Sequence, residues 1–235
     1  PTPESENGIL LESTPVTALP GFDEGGFFVQ DEASQICVEA LGAEAGETII
    51  DACACPGSKS FGAAITMKNR GEIYSFDLHE NKLSLVRSGA KRLGIDIIET
   101  SGHDGRDYIS ELEKKADRII CDVPCSGFGV VAKKPELRYK SVADCRSLPD
   151  IQLAILENSS RYLSDGGYLV YSTCTLLPSE NELNIARFIE RNPEFCRVDF
   201  SVGELSSENG MLTLFPDTHG TDGFFIAKFK KVKHE

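Results

Sequence analysis

The chain has 235 residues, of which 40% are apolar and 26% charged, with 37 Asp and Glu against 24 Lys and Arg for a formal net charge of −13. These proportions exclude a collagenous, low-complexity or disordered chain, and the lack of any run of 18 apolar residues excludes a membrane-spanning helix. The acidity is uneven: 11 acids precede the first base, Lys59, whereas 26 acids and 24 bases make up the rest.

Residues 1–26 are rich in Pro, Gly, Ser and acids and read as an irregular lead-in. They start at Pro1 rather than Met, which points to a processed or truncated chain, and they lack the basic and then apolar regions of a secretory signal. With no export signal, the eight cysteines are expected to be free thiols of a cytoplasmic protein rather than a disulfide framework. After the short apolar run 26–29, Ala33, Ile36, Cys37, Ala40 and Leu41 recur at helical spacing and predict a helix over 32–41.

An alternation then sets in. Buried strands are predicted at 48–51, 72–77, 97–100, 118–122, 167–172 and 224–229, and helices at 59–68, 80–93, 108–115, 150–163 and 180–191. Ser179 and Glu182 read as a capping box for the last helix. Lys228, Lys230, Lys231 and Lys233 read as a solubilising tail. Strands alternating with helices imply an α/β, doubly wound, mostly parallel sheet covered on both faces.

In such sheets ligands bind beyond the carboxyl ends of the strands. Those ends carry Asp51-Ala-Cys-Ala-Cys-Pro-Gly-Ser-Lys59, Asp77, Asp104, Asp122-Val-Pro-Cys125 and Ser172-Thr-Cys-Thr175, so four acids and four cysteines should converge on one edge. The first turn lacks two glycines of the phosphate-binding loop, having Ala52 and Ser58 there, and lacks Gly-x-Gly-x-x-Gly. A nucleoside ligand without a pyrophosphate is favoured, and a Rossmann oxidoreductase is disfavoured. Asp77 ends the second strand, where a carboxylate can accept from ribose hydroxyls. Cys53, Cys55, Cys125 and Cys174 contain no Cys-x-x-Cys pair, so no metal site is expected.

Three segments, Asp51-Ala-Cys-Ala-Cys-Pro-Gly-Ser-Lys-Ser60, Asp122-Val-Pro-Cys-Ser-Gly-Phe-Gly129 and Ser172-Thr-Cys-Thr-x4-Glu-Asn-Glu182, resemble in order and spacing the signatures of S-adenosylmethionine-dependent RNA cytosine-5 methyltransferases, the Sun/Fmu family. Phe27-Phe-Val-Gln-Asp-Glu-Ala-Ser34 looks like a further family element, so the likeness runs from about Gly21 to the end. The stretch 129–140 looks most like the bacterial branch that modifies 16S ribosomal RNA, the RsmB type. Where the family usually has Ala-Pro-Gly-Gly-Lys-Thr, this chain has Cys55, Ser58 and Ser60 in place of Ala, the second Gly and Thr.

The resemblance implies a Rossmann-like class I methyltransferase sheet with one antiparallel strand near the C-terminus. It implies a catalytic domain over 27–235 and makes 1–26 the remnant of an upstream RNA-binding region. S-adenosyl-L-methionine is the expected cofactor, with S-adenosyl-L-homocysteine as product and no metal. Its expected contacts are Asp51, Cys53, Ala54, Cys55, Pro56, Gly57, Ser58, Lys59, Asp77, Asp104 and Asp122. The expected partner is 16S rRNA, with transfer RNA and a noncatalytic ribosome-assembly role as alternatives; no membrane partner is expected, and a monomer is assumed.

Carbon 5 of cytosine is a poor nucleophile unless a thiolate first adds to carbon 6. Residue chemistry leaves Cys125 and Cys174 both open as that nucleophile. The resemblance implies that Cys174 attacks, Cys125 assists release and Asp122 contacts the cytosine edge. A thiol of pKa about 8.5 needs a nearby cation, and Lys59 is a candidate. Lys133, Lys134, Arg138 and Lys140 follow the Pro-Cys loop and are read as phosphate contacts beside a flipped base. Cys37, Cys121, Cys145 and Cys196 are read as small packing residues.

Overall fold

The computed structural model describes residues 1–11 and 15–232. Residues 1–11 and 15–31 hold one short 3₁₀ turn, Val16–Ala18, and are otherwise irregular. They are nevertheless tied to the body. The backbone N–H groups of Glu4 and Ser5 donate to Glu32 Oε1, Ser5 Oγ donates to Gln35 Oε1, and Arg92 donates to the Phe27 carbonyl.

Helix α1 (Glu32–Leu41) starts where Asp31 accepts from the Ala33 N–H and stops at Gly42, whose φ of 66° suits a glycine C-cap. It is followed by β1 (Thr48–Asp51), α2 (Ser58–Thr66), β2 (Glu72–Asp77), α3 (Leu83–Arg92), β3 (Ile98–Gly102) and β4 (Ala116–Asp122). Next come α4 (Leu148–Ser160), β5 (Leu163–Thr173) and α5 (Glu182–Arg191). Four short strands, β6 (Phe195–Arg197), β7 (Ser201–Val202), β8 (Leu205–Ser206) and β9 (Met211–Leu214), lead through α6 (Pro216–His219) to β10 (Phe224–Lys231).

The main sheet runs β3-β2-β1-β4-β5-β10-β6, with β9 also paired to β10; β7 and β8 form a separate ribbon. Strands β1 to β5 are parallel, and β10 is antiparallel to β5. Adjacent residues of one strand feed opposite faces, as alternation requires. Ile49, Ile120 and Val170 pack under α1, α2 and α3, while Ile50, Ile119 and Leu169 pack under α4 and α5. Covering both faces explains why these strands read as unbroken apolar runs. No described helix is long and apolar enough to cross a membrane.

Apart from shifted element ends, such as β5 starting at Leu163 where the sequence predicts the end of a helix, the structure departs from the sequence expectations in four places. Residues 108–115 form only the 3₁₀ turn Ser110–Leu112, because the Ile109 N–H is held by Tyr162 Oη and Lys114 turns at a φ of 54° into β4. Ser179 caps nothing: Asn181 precedes α5, and its side chain bonds Thr173 and Thr175 instead. Strands β6 to β9 are absent from the sequence reading. The C-terminal lysines are not a tail. Lys228, Lys230 and Lys231 lie in β10, and Lys231 is buried, donating to the Leu163 carbonyl at 2.9 Å; Lys233 lies outside the described residues.

Candidate active site

Because β1 to β5 are parallel, their carboxyl ends share one edge, and the loops after β1, β4 and β5 enclose a cavity of about 220 Å³ there. Its wall is formed by Asp51, Cys53, Ala54, Cys55, Pro56, Ser58 and Lys59 from the first loop, with Asp122, Val130 and Cys174. Asp31, Ser34, Asp222 and Phe224 complete it. Asp31 and Ser34 belong to the Phe27–Ser34 element, which was legible as a unit but not as cavity wall. Asp222 and Phe224 carried no sequence signal.

The first loop turns sharply at Gly57, whose φ is 113°, and a Cβ there would meet the Phe61 ring at 2.6 Å. Ser58, by contrast, is already the first residue of α2. The serine therefore occupies a position that needs no left-handed backbone, and the exchange of the family's second glycine is tolerated. Gly57 itself shapes the turn without lining the cavity.

Asp51 is fully buried. Ser60 Oγ donates to its Oδ2 at 2.7 Å, while its Oδ1 has no partner. Burial pushes its pKa up to about 6. Lys59 is also buried; its Nζ lies 2.7 Å from Asp122 Oδ2 and 3.2 Å from Ser34 Oγ. Burial alone would press the ammonium's pKa down, but the Asp122 carboxylate outweighs it and holds Lys59 above the ordinary lysine range. Asp122 Oδ1 accepts from Ser172 Oγ at 2.7 Å, so the carboxylate is fixed from both sides.

Cys125 and Cys174 meet with their sulfurs 3.2 Å apart. Of these two, only Cys174 lines the cavity. The hydrogen bond between the two sulfurs lowers the Cys174 pKa against the opposing effect of burial, with Lys59 and Lys134 helping, and the same bond raises the pKa of Cys125. Burial pushes Cys37, Cys55 and Cys121 up to about 12 and Cys53 well up. Cys174 is thus the one cysteine shifted toward its thiolate. Of the cysteines read as packing residues, Cys37, Cys121 and Cys145 are buried, whereas Cys196 is exposed.

The two cysteine loops are held together by a buried polar frame. Glu180 Oε2 accepts from the Ser126 N–H at 2.9 Å and from Gln152 Nε2 at 2.7 Å, and the hydroxyls of Ser126 and Thr175 bond at 2.7 Å. Glu180 stood in a recognised segment, but nothing in its sequence position signalled this bridge. Two glycines allow the closest approach: the Gly129 N–H donates to the Cys174 carbonyl, and the Gly223 N–H donates to the Gly129 carbonyl, both at 2.9 Å.

Asp77 and Asp104 share the edge but lie outside the cavity wall. Asp77 accepts from the Cys55 and His79 N–H groups. Arg106 grips Asp104 and lowers its pKa to about 2. Of the basic stretch, Lys133 is paired with both Asp31 and Asp222 at the cavity, and Lys140 Nζ donates to the Ser126 carbonyl at 3.0 Å. Lys134 and Arg138 are exposed. Among the described residues, no group of three or more His, Cys, Asp or Glu is arranged to hold a metal ion.

A parallel sheet carrying one antiparallel strand between β5 and β6, with its cavity at the carboxyl ends, defines a Rossmann-like class I methyltransferase fold. The family model of the 16S rRNA methyltransferase RsmB/F matches residues 38–230, and the chain belongs to that family. It is 39% identical over 236 residues to the probable ribosomal RNA small subunit methyltransferase B of Bacillus subtilis, covering 97% of this chain and 53% of the relative. A ribosomal RNA small subunit methyltransferase B of Citrobacter koseri is 37% identical, covering 96% of this chain and 52% of the relative. The chain thus spans about half the length of these curated relatives. Among solved structures, NSun6 from Pyrococcus horikoshii with SFG superposes with a TM-score of 0.83 at 32% identity, covering 95% of this chain and 57% of that one. A methyltransferase homolog from the same organism gives 0.80 at 33% identity, with 94% and 73% covered.

Proposed function

We propose that this chain is the catalytic domain of an S-adenosylmethionine-dependent methyltransferase that modifies carbon 5 of a cytosine in 16S rRNA through a covalent cysteine adduct. The observation that carries this reading is Cys174 lining a cavity shared with Lys59 and Asp122, with its sulfur 3.2 Å from that of Cys125. The ribosomal RNA substrate is supported by the family model and by the names of the curated relatives. Action in the cytoplasm and as a monomer belongs to the same proposal.

The cavity suits a cationic nucleoside ligand. Asp31, Asp51, Asp122 and Asp222 face it against Lys59 and the Lys133 ammonium that pairs with Asp31 and Asp222, leaving acids in excess, and Asp51 Oδ1 is a buried acceptor still lacking a donor. The first-loop residues, with Asp51, would hold S-adenosylmethionine, which supplies an electrophilic methyl group. Asp77 and Asp104 would contribute from the edge beyond the wall.

Cys174, as a thiolate, adds to carbon 6 and makes carbon 5 enamine-like, dividing one hard step into easier ones. Asp122, held by Lys59 and Ser172, retains free lone pairs that can accept from the exocyclic amino group of cytosine. The Lys59 ammonium next to it is a local cation that stabilises negative charge as it builds on the ring. Once carbon 5 is methylated, its proton passes to a solvent base, the freed electron pair restores the carbon 5–carbon 6 double bond, and Cys174 leaves as the thiolate. Cys125 is in contact with the departing sulfur and assists that release.

The test is a pair of variants. Cys174→Ala is expected to abolish methyl transfer, while Cys125→Ala methylates once and accumulates an RNA adduct that survives denaturation. An adduct with Cys174→Ala instead reverses the two roles, and no adduct with either removes the covalent mechanism. Bisulfite sequencing of ribosomal and transfer RNA from cells with and without the gene identifies the modified cytosine.

A further inference from the structure

Tyr139 is 92% exposed, the most exposed of the large apolar and aromatic side chains. Its backbone is nevertheless well anchored. It ends the 3₁₀ turn Pro135–Tyr139, in which the Leu137 N–H donates to Lys134 and the Lys140 N–H to Leu137. Leu137 packs over Gly127, where an added Cβ would lie 3.3 Å from its methyl group, and Lys140 Nζ holds the Ser126 carbonyl at 3.0 Å. Ser141, immediately after, opens a capping box with Asp144.

The ring is therefore held out into solvent between two attachments to residues that directly follow Cys125. Lys134, Arg138 and Lys140 surround it in sequence against the single acid Glu136. An exposed aromatic face within a cation-rich stretch is the arrangement that takes one nucleobase by stacking while phosphates meet the cations.

We propose that Tyr139 is a stacking platform for an unpaired nucleobase flanking the target cytosine, with Arg138 and Lys134 on the adjoining phosphates. The proposal rests on the reading of this chain as an RNA methyltransferase. It makes the preferred substrate single-stranded or locally opened beside the target, because a paired and stacked base cannot present its face.

The chain contains no Trp, so Tyr139→Trp creates a single indole reporter at the platform. Titration with a short unstructured RNA containing cytosine is expected to quench its emission, and the same sequence in a duplex should do so less. Tyr139→Ala is expected to weaken binding of the unstructured RNA roughly 5- to 150-fold and to raise KM more than it lowers kcat. The salt dependence of binding and the affinity for S-adenosylmethionine should stay unchanged, and Tyr139→Phe should retain wild-type affinity. Arg138→Gln, in contrast, should lower the salt slope by about 0.7. Wild-type RNA affinity in Tyr139→Ala, or an indole indifferent to bound RNA, overturns the platform and leaves the methyltransferase reading standing. A wild-type chain that neither binds nor methylates RNA overturns both.

Discussion

The arrangement of the two cysteines makes one thiol serve the other. Cys125 can donate its proton to Cys174 only if it remains a thiol itself, so the hydrogen bond that lowers one pKa raises the other. The reactive form of Cys174 is the thiolate, and the single-turnover methylation rate should therefore fall as pH drops through its lowered pKa and level off above it. Cys125→Ala removes the donor. The acid limb of that profile is then expected to move to higher pH, as is the pH at which iodoacetamide alkylates Cys174, followed by mass spectrometry of its peptide. An unchanged profile would mean that Lys59 and Lys134 set the thiolate without Cys125. Sequence chemistry left both cysteines open as nucleophile, because both end in small polar loops; under the proposed mechanism the distinction is that Cys174 and not Cys125 lines the cavity, a matter of loop packing rather than residue type.

Among the elements, the loops after β4 and β5 must approach more closely than side chains permit. A Cβ on Gly129 would stand 1.9 Å from the Gly223 carbonyl oxygen and 2.9 Å from that of Cys174. Gly129→Ala is therefore expected to push the Pro-Cys and Thr-Cys loops apart. It should cost about 1–3 kcal/mol in stability and reduce kcat roughly 100-fold through misplacement of the sulfurs, measured by urea unfolding and single-turnover methylation. Wild-type kcat in that variant would show that the loops tolerate separation. The same scale explains what was legible in the sequence. β1, β2 and α1 were readable to their end residues, since buried apolar positions bounded by turn residues in the strands, and helical spacing in α1, record burial directly. Strands β6 to β9 span two to four residues each and, unlike the equally short β1, hold at most one buried residue apiece, so they leave no apolar pattern to register. The Ser179 cap failed because Glu180 and Asn181 face inward to brace the cysteine loops, a tertiary demand that overrides local capping.

For the molecule as a whole, the net charge of −13 is compatible with an RNA substrate because charge acts locally, screened over roughly 8 Å. The acid-rich N-terminal portion does reach the basic stretch through Asp31, which shares Lys133 with Asp222 from the segment before β10. Lys140 is engaged by the Ser126 carbonyl, which leaves Lys134 and Arg138 without an ion pair among the described residues. Two to four phosphate contacts follow, depending on whether RNA draws Lys133 and Lys140 away from their present partners. At about 0.7 per contact on a single strand, the slope of log K against log salt should lie at roughly −1.5 to −3. Binding by this chain should accordingly be weak and fall roughly 10- to 60-fold between 50 and 200 mM salt, measured by fluorescence anisotropy of a labelled RNA. A slope steeper than about −5, or tight binding that persists at high salt, would require a cationic or stacking surface well beyond residues 133–140.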